Sequence, residues 1–197
     1  ILATKEGEEL GGCIINTFMQ ITSENPIISI SLNKNNYTYE MIKKSRCFSL
    51  SILSEKTKPE IIGTFGFSSS KDTDKFANCE YELVNHLPVI KENCCGTLFF
   101  DLMSMTDMET HVVLFARLTN TIKTANEKPM TYSYYHSVIK GTAPKNAPTY
   151  QKDVVTEDSI SYVCKVCSYV YKGDINEERD DYKCPICGKS KEYFEKR

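Results

Sequence analysis

The most constraining feature of this 197-residue sequence is a pair of Cys-x-x-Cys motifs near its end, separated by sixteen residues. The four cysteines are Cys164, Cys167, Cys184 and Cys187. Each motif brings two thiolates to one point, and two motifs together complete a tetrahedral sulfur cage suited to zinc or iron. The 42 residues from Thr156 onward are too few to fold on an apolar core alone, so we expect this part to depend on a metal.

The other five cysteines are scattered without repeated spacing, and the total of nine is odd. This distribution argues against a closed disulfide framework and indicates a reducing compartment, so we predict a cytoplasmic protein. The chain has 24 basic and 26 acidic residues, a net charge of -2, which gives no strong attraction to nucleic acid. No apolar run approaches the roughly 20 residues of a membrane-spanning helix, which argues against a membrane protein.

Four segments in the first 120 residues have the composition of β-strands. They are residues 27–32, 48–53, 97–103 and 111–118. A short helix is predicted after Thr57, whose spacing to Glu60 matches a capping box with Pro59 in the first turn. A second short helix is predicted after Thr38. Strands joined by brief helices favour a mainly β fold, a barrel or a sandwich, over a doubly wound sheet.

Residues 141–149 contain two prolines among small residues and no apolar periodicity. This composition is typical of an extended, semi-rigid connector. We therefore predict a first domain over residues 1–140, a linker over 141–157 and a small metal-binding domain over 158–197.

The sequence around the cysteines, residues 162–173 and 183–188 with Phe194, resembles the rubredoxin domain in the shortened form found at the end of rubrerythrins. That family binds one iron through four cysteines and passes single electrons. Two features depart from its pattern, because Ser168 replaces the usual glycine and the chain has no tryptophan. A structural zinc ribbon therefore remains the alternative. The aromatic residues expected to pack over the cage are Tyr162, Tyr169, Tyr171 and Phe194.

Segments of the first domain resemble, in order, the flavin reductase-like, FMN-binding split-barrel family. They are residues 12–22, 25–30, 33–38, 48–53, 65–70, 74–76, 110–111 and 129–132. The resemblance implies an FMN-binding split β-barrel with short helices, NAD(P)H as electron donor and a homodimer. In that family a first strand would precede Ile1. The arrangement of the whole chain is closest to flavoredoxins and to the fused high-molecular-weight rubredoxins.

The candidate flavin-binding residues make chemical sense, because the dianionic phosphate of FMN favours cationic and hydroxyl donors at a helix start. The segment ahead of the first predicted helix supplies them with Asn33, Lys34, Asn36, Tyr37 and Thr38, although a plain polar turn has the same composition. By family analogy, the residues lining the isoalloxazine ring are Asn16 and Thr17. Lys75 could add positive charge near the phosphate or the nicotinamide nucleotide.

His111 matches the histidine that the family places beside the flavin and the incoming nicotinamide, and it is the candidate catalytic residue. The alternative for His111 is a role in packing only. The usual Gly-Asp before this histidine is replaced by Glu109-Thr110.

Taken together, these resemblances imply an electron-transfer flavoprotein that passes electrons from NAD(P)H through bound FMN to a mononuclear iron centre held by four cysteines. The acceptor implied is a flavodiiron oxygen or nitric oxide reductase, or a rubrerythrin. Two alternatives remain open. One is an NAD(P)H:flavin reductase that releases reduced FMN, and the other is a non-catalytic flavin-fold binding protein with a structural zinc ribbon.

Overall fold

A computed structural model of the chain describes residues 1–139, 141, 143, 147 and 160–197. These residues belong to two compact units. The first unit comprises residues 1–58 and 68–130, and the second comprises residues 59–67 together with the described residues from 131 onward. The predicted linker over 141–157 lies outside the described residues, apart from residues 141, 143 and 147.

The first unit is built on antiparallel strands. In chain order they are β1 (Leu2–Glu6), β2 (Glu9–Cys13), β3 (Phe18–Gln20), β4 (Ile27–Asn33), β5 (Cys47–Leu53), β6 (Tyr81–Val84), β7 (Leu87–Ile90), β8 (Cys94–Met108) and β9 (His111–Lys123). Seven of them form one sheet in the order β2-β1-β5-β8-β9-β4-β3, and β6 and β7 form a separate hairpin. The predicted mainly β fold is confirmed.

All four predicted strands are present, as β4, β5, β8 and β9. The last two are longer than the predicted segments, because their pairing extends from Met108 and His111 at the tip of the hairpin to Gly96 and Lys123 at its base. The distal part of β8, from Met103 onward, is exposed. Apolar patterning therefore predicted only the part of this hairpin that faces the core.

The first unit has a main hydrophobic cluster, to which β4, β5, β8 and β9 contribute, and a second, smaller one formed by Leu87, Val89 and Phe99. Along β4, Ile28, Ile30 and Leu32 alternate with less buried residues, as expected when one face of a strand is buried. The rings of Phe48 and Phe100, on β5 and β8, stack with their centroids 5.3 Å apart. This packing is made by the side chains of the strands themselves.

Helix α1 (Tyr37–Ser45) begins at Asn36, whose side chain accepts a hydrogen bond from the backbone N–H of Thr38. The prediction of a helix following Thr38 is confirmed. Met41 and Ile42 of this helix are buried, and Arg46 ends it in the left-handed conformation, with φ 61°. The side chain of Asn36 thereby caps the helix in the ordinary way.

Helix α2 (Pro59–Phe67) is also present, with proline in its first turn as predicted. The predicted capping box is wrong. Lys58 occupies the N-cap position and makes no side-chain capping bond. The hydroxyl of Thr57 is used elsewhere, since it accepts from the N–H of Ser54 and donates to the carbonyl of Asn93.

The second unit contains α2, a six-residue helix α3 (Tyr132–Ser137) and a three-stranded antiparallel sheet. Its strands are β10 (Ser161–Cys164), β11 (Val170–Lys172) and β12 (Phe194–Lys196), in the order β11-β10-β12. Short 3-10 helices occupy 175–177 and 191–193. Across the described residues of both units, no helix is long and apolar enough to cross a membrane.

Candidate functional site

The four predicted cysteines meet at one point in the second unit. Their sulfur atoms all lie within 4.8 Å of one another and all four residues are buried. The Sγ atoms of Cys164 and Cys187 are 3.6 Å apart, and those of Cys167 and Cys184 are 3.5 Å apart. A tetrahedral site with metal–sulfur bonds of about 2.3 Å has sulfur–sulfur edges of about 3.8 Å. The cluster therefore has the size of a mononuclear metal centre.

Each Cys-x-x-Cys motif forms a tight knuckle. The N–H of Ser168 donates to the carbonyl of Cys164 at 2.8 Å, and the N–H of Gly188 donates to the carbonyl of Cys184 at 2.9 Å. Backbone N–H groups also point at the sulfurs, since those of Cys167 and Cys187 bond to the Sγ atoms of Cys164 and Cys184. Such donors stabilise thiolate charge and tune the potential of a bound metal.

Both knuckles end on a residue with positive φ. Gly188 has φ 69° and Ser168 has φ 61°. The glycine adopts this conformation at no steric cost, whereas a side chain there costs roughly 1–2 kcal/mol. The replacement of glycine by Ser168 therefore left the geometry of the first knuckle unchanged and added strain to it.

Aromatic side chains form a small core around the cysteines, as predicted. Phe194 is buried, and several tyrosines pack partly buried against the cluster, namely Tyr162, Tyr169, Tyr171 and Tyr182. The ring of Tyr182 stands edge-on to that of Phe194, with centroids 5.9 Å apart. Helices α2 and α3 add Phe67 and Tyr135 to the same cluster, two residues that the sequence analysis did not identify.

The donor chemistry of the cluster fits a metal ion. Hydrogen bonds with the neighbouring thiols lower the pKa of Cys164 and raise that of Cys167, because four charges of one sign cannot share this small buried space unaided. A cation removes that conflict and allows all four sulfurs to bind as thiolates. Four thiolates are a suitable set for either iron or zinc.

The predicted flavin-binding residues lie in the first unit, and most of them cluster where β4 ends and α1 begins. Asn33 ends β4, and its side chain accepts from the N–H of Asn35. Lys34 forms an ion pair with Asp107 of β8. Tyr37 donates its hydroxyl to Glu9 at 3.0 Å, and this hydrogen bond raises the pKa of Tyr37.

Lys75 reaches the same region from the loop after α2. Its ammonium group is buried and donates to the carbonyl of Gly12 at 2.8 Å. Burial lowers the pKa of Lys75 to about 8, partly offset by the nearby thiol of Cys13. Burial likewise raises the pKa of Cys13, against the opposing effects of Lys75, Asn36 and Thr38. Cys13 is therefore close to Lys75, Asn36 and Thr38.

His111 begins β9 and is paired in register with Asn33 on β4. Its Nδ1 lies 2.9 Å from the hydroxyl of Thr110. The backbone carbonyl of Thr110 accepts from the N–H of Lys34. The structure thus brings His111 next to the segment 33–38.

The remaining predicted pair lies in the loop between β2 and β3. The hydroxyl of Thr17 donates to the carbonyl of Ser31 on β4, and Asn16 is exposed. A cleft of roughly 520 Å³ opens elsewhere on the first unit, and Tyr37 is the one predicted residue among those that line it. Four of its other lining residues are acidic, namely Glu8, Glu9, Asp72 and Asp74, so this cleft is a poor match for a phosphate.

Two polar atoms in the cluster are buried without a hydrogen-bond partner among the described residues, namely Thr38 Oγ1 and His111 Nε2. Leaving such atoms unpaired costs about 1–3 kcal/mol each. The buried ammonium of Lys75 lies beside the same helix start, where the helix dipole also favours negative charge. These residues therefore fit a bound group that is anionic and rich in hydrogen-bonding atoms, as a flavin nucleotide is.

The contribution of α2 and α3 to the metal centre was not predicted from the sequence. One available signal was Gly63 inside a predicted helix, since a glycine in a helix interior often has a packing reason. No sequence pattern marks Tyr135, because a tyrosine in a short helix is equally suited to a surface position.

Comparison with known proteins identifies both parts of the chain. Residues 1–143 match the family described as flavin reductase like domain. Residues 162–195 match the rubrerythrin, rubredoxin-like domain. The first match covers most of the chain, and the second contains all four cysteines of the metal centre.

The curated relatives include proteins with one or both parts. The chain is 36% identical to high molecular weight rubredoxin of Moorella thermoacetica, over 99% of this chain and 93% of that protein. It is 31% identical to a ferric-chelate reductase (NAD(P)H) of Archaeoglobus fulgidus, over 71% of this chain and 83% of that one.

Solved structures similar to the chain share its fold. One is nitrilotriacetate monooxygenase component B from Mycobacterium thermoresistibile, with 21% identity, a TM-score of 0.58 and coverage of 65% of this chain and 70% of that one. Another is an FMN-binding protein from Thermus thermophilus, with 16% identity, a TM-score of 0.57 and coverage of 62% and 69%. The chain therefore belongs to the flavin reductase-like split-barrel family and carries a rubredoxin-like domain at its C-terminal end.

Proposed function

We propose that this protein is an electron-transfer flavoprotein that takes electrons from NAD(P)H and delivers them singly, through bound FMN and an iron centre held by four cysteines, to an acceptor protein. The observation that carries the proposal is the four-thiolate cluster in a chain whose first 143 residues match the flavin reductase like domain. Similarity to high molecular weight rubredoxin over 99% of the chain supports the same combination.

In this proposal the residues of the first unit bind and orient the flavin. Lys75, Asn36 and Thr38 hold the phosphate, Lys34 contributes when it leaves Asp107, and Asn33 and Tyr37 complete the polar wall. Asn16 and Thr17 line the isoalloxazine ring. His111 orients the nicotinamide with its unpaired Nε2. None of these side chains needs to act as an acid or a base, because for hydride transfer the protein has only to hold the two reactants in the correct orientation and to exclude water.

In the second unit Cys164, Cys167, Cys184 and Cys187 hold the iron. When bound, the flavin would supply the exchange between two-electron and one-electron donors, and the iron would supply a one-electron site. The backbone N–H groups that point at the sulfurs stabilise the charge of the site in both oxidation states.

We infer NAD(P)H as the donor from the similarity to the ferric-chelate reductase (NAD(P)H) of Archaeoglobus fulgidus. For the acceptor we propose a flavodiiron oxygen or nitric oxide reductase, or a rubrerythrin, since the rubredoxin-like domain is suited to one-electron delivery to another protein. The nine free cysteines, none of them in a disulfide, are consistent with a cytoplasmic location.

We also propose a homodimer. Several large apolar side chains on β3, just after it and on the distal part of β8 are exposed, namely Phe18, Met19, Ile21, Met103, Met105 and Met108. Exposed apolar side chains in such number mark protein contact surfaces. Sedimentation of the purified protein and of a Met105→Asp variant tests this, because the variant should shift to the monomer and an unshifted variant would exclude this surface.

The central experiment is anaerobic addition of NADH or NADPH to the purified protein, with the flavin and iron–thiolate absorption bands followed separately. Both bands should bleach, the flavin first. Cys184→Ser should keep FMN and its reduction but lose electron delivery beyond the flavin. Delivery to an acceptor at the wild-type rate in that variant would refute the relay, and a colourless protein carrying zinc would refute the iron centre.

A flavin reductase that releases reduced FMN is the second candidate. It is favoured by the similarity to the ferric-chelate reductase, which covers 71% of this chain. Gel filtration of the reduced protein separates the two functions. Flavin that leaves the protein after reduction supports the reductase, and flavin that stays bound supports electron transfer within the chain.

A further inference from the structure

Helix α2 makes an unusually close contact with the metal centre through Gly63. A Cβ atom built at position 63 would lie 2.7 Å from the carbonyl oxygen of Cys187 and 2.8 Å from its Cα. Both are backbone atoms, so a side chain at position 63 cannot be accommodated by a change of rotamer. The backbone of α2 therefore approaches the fourth cysteine as closely as only glycine permits.

One turn earlier on α2, Glu60 packs against the residue that follows Cys187. A Cβ atom at Gly188 would lie 2.7 Å from Glu60 Cγ and 3.1 Å from its Cδ. Residues 60, 63 and 67 are spaced by three and four positions and so share one face of the helix. Phe67 on that face packs against the cysteine cluster. The second knuckle thus rests on a continuous stripe of α2.

Helix α3 and the residues just after it also pack against the cysteine cluster. Tyr135 and Ile139 pack partly buried against the same cluster. Gly141 in turn lies against the ring of Tyr135, and its N–H donates to the Tyr135 carbonyl at 3.0 Å. The cluster that holds the metal ligands is therefore built from three separate parts of the sequence.

A glycine inside a helix is normally unfavourable, because alanine has the higher helix propensity at such a position. Gly63 lies in the interior of α2, between the buried residues Ile62 and Phe65. The contact with Cys187 explains its presence there. The free energy gained from this contact offsets the lower helix propensity of glycine, and it is gained only while the helix and the knuckle remain packed together.

We propose that α2 is the docking helix of the metal-binding module and that Gly63 is a positioning residue. Because Gly63 has no side chain, the backbone of Cys187 can pack directly against α2, and this contact fixes the position of Cys187. Through this contact α2 holds the second knuckle in one position. The helix lies about a hundred residues before the first metal ligand in the sequence. The functional consequence, a fixed position for electron entry into the iron centre, rests on the proposed function above.

The first test is hydrogen exchange followed by mass spectrometry on the full-length, metal-loaded protein. In Gly63→Ala, exchange in peptides from 59–67 and 184–188 should be about tenfold faster, equivalent to about 1.4 kcal/mol. Thr64→Ala, a substitution at the next position of the same helix, should leave both peptides unchanged. Metal content and the circular dichroism of the β-sheet show that both variants are folded. Unchanged or slower exchange in Gly63→Ala would overturn the proposal.

The second test separates docking from electron transfer. In stopped-flow reduction by NAD(P)H, Gly63→Ala should keep the wild-type rate of flavin bleaching and slow the bleaching of the iron by about tenfold or more, while Thr64→Ala behaves as wild type. If NAD(P)H does not bleach the iron band in the wild-type protein, the proposed function is refuted. The docking role of α2 is then decided by the hydrogen-exchange experiment alone. An iron phase of equal rate in wild type and Gly63→Ala would refute the positioning role.

Discussion

The two units of this protein place their functional residues on scaffolds of opposite kinds. In the first unit most candidate flavin residues lie where strands end and α1 begins, outside the main hydrophobic cluster, in which Phe48 stacks on Phe100. In the second unit the functional residues belong to the core itself, since all four cysteines are buried in one cluster with Ile175, Ile186 and Phe194.

This difference affects how each unit tolerates a change at its functional residues. Both units contain polar atoms that are buried without a hydrogen-bond partner among the described residues, namely Thr38 Oγ1 and His111 Nε2 in the first and His136 Nε2 in the second. The first unit can also bury the ammonium of Lys75, because the sheet supplies the stability. The second unit has no such reserve, since a module of this size depends on its metal. Loss of a ligand should therefore unfold the second unit and leave the first unit folded.

Metal removal tests this contrast most strongly. Structural metal sites contribute roughly 10–16 kcal/mol at neutral pH, more than a small module possesses otherwise. We expect chelation, or Cys164→Ser, to abolish protection from hydrogen exchange in residues 160–197. The peptides of β4, β5 and β9 should keep their protection. Persistent protection around the cysteines of the metal-free protein would show that apolar packing suffices.

Gly188→Ala should give the next largest effect. Its φ of 69° disfavours any side chain, and the added Cβ meets Glu60. Strain and contact together should destabilise the second unit by about 3 kcal/mol, measured by chemical denaturation of the metal-loaded protein. Adding Glu60→Ala should recover the steric part and leave the backbone part. An equal loss in the single and the double variant would show that Glu60 does not contribute.

Lys75→Met addresses the first unit, where we expect loss of ligand rather than loss of fold. Removing a charge-assisted hydrogen bond to the phosphate should weaken FMN binding by about 2 kcal/mol. Without flavin, the variant should be as stable as wild type or more so, because the cost of burying the ammonium disappears. Fluorescence titration with FMN and thermal unfolding measure the two effects, and an unchanged FMN affinity would remove Lys75 from the site.

The same lysine predicts opposite pH dependences in wild type. Its pKa is lowered from 10.5 to about 8, so the unfolded chain binds more protons between these values. Buried thiols such as Cys94, whose pKa is raised to about 11, act in the opposite direction above pH 9 and are present in both proteins. The stability of flavin-free wild type relative to Lys75→Met should therefore increase as the pH rises from about 8 to 10.5. FMN affinity of the wild type should fall over the same range because the ammonium is lost. A difference between the two proteins that does not change with pH would place the ammonium in solvent.

Ser168→Gly should give the smallest effect, and a stabilising one. The first knuckle holds Ser168 at φ 61°, and glycine would remove strain of about 1 kcal/mol. Chemical denaturation of the metal-loaded protein should show this gain, and the metal spectrum should not change. A loss of stability would mean that the serine side chain makes a compensating contact.

The periodic segments of the sequence were sufficient for the strands that pack on the core, as the agreement for β4 and β5 illustrates. The hydrophobic pattern did not predict strand residues that are exposed, such as the distal part of β8 from Met103 onward. Cap prediction failed at Thr57 because its hydroxyl is engaged by Ser54 and Asn93, contacts that depend on a distant segment. The predicted roles of the individual flavin residues and the domain boundaries remain predictions.

The sequence alone determined the metal centre, because a metal site of this kind needs only four thiols in two Cys-x-x-Cys motifs. Each motif is a local feature that can be recognised directly in the sequence. The sequence also determined the mainly β character and the family of the first part. Only the tertiary structure decided that Lys75 and Cys13 meet at the start of α1, and that Gly63 lies under Cys187. Those contacts join residues far apart in the sequence, and their energies come from close packing that no local pattern encodes.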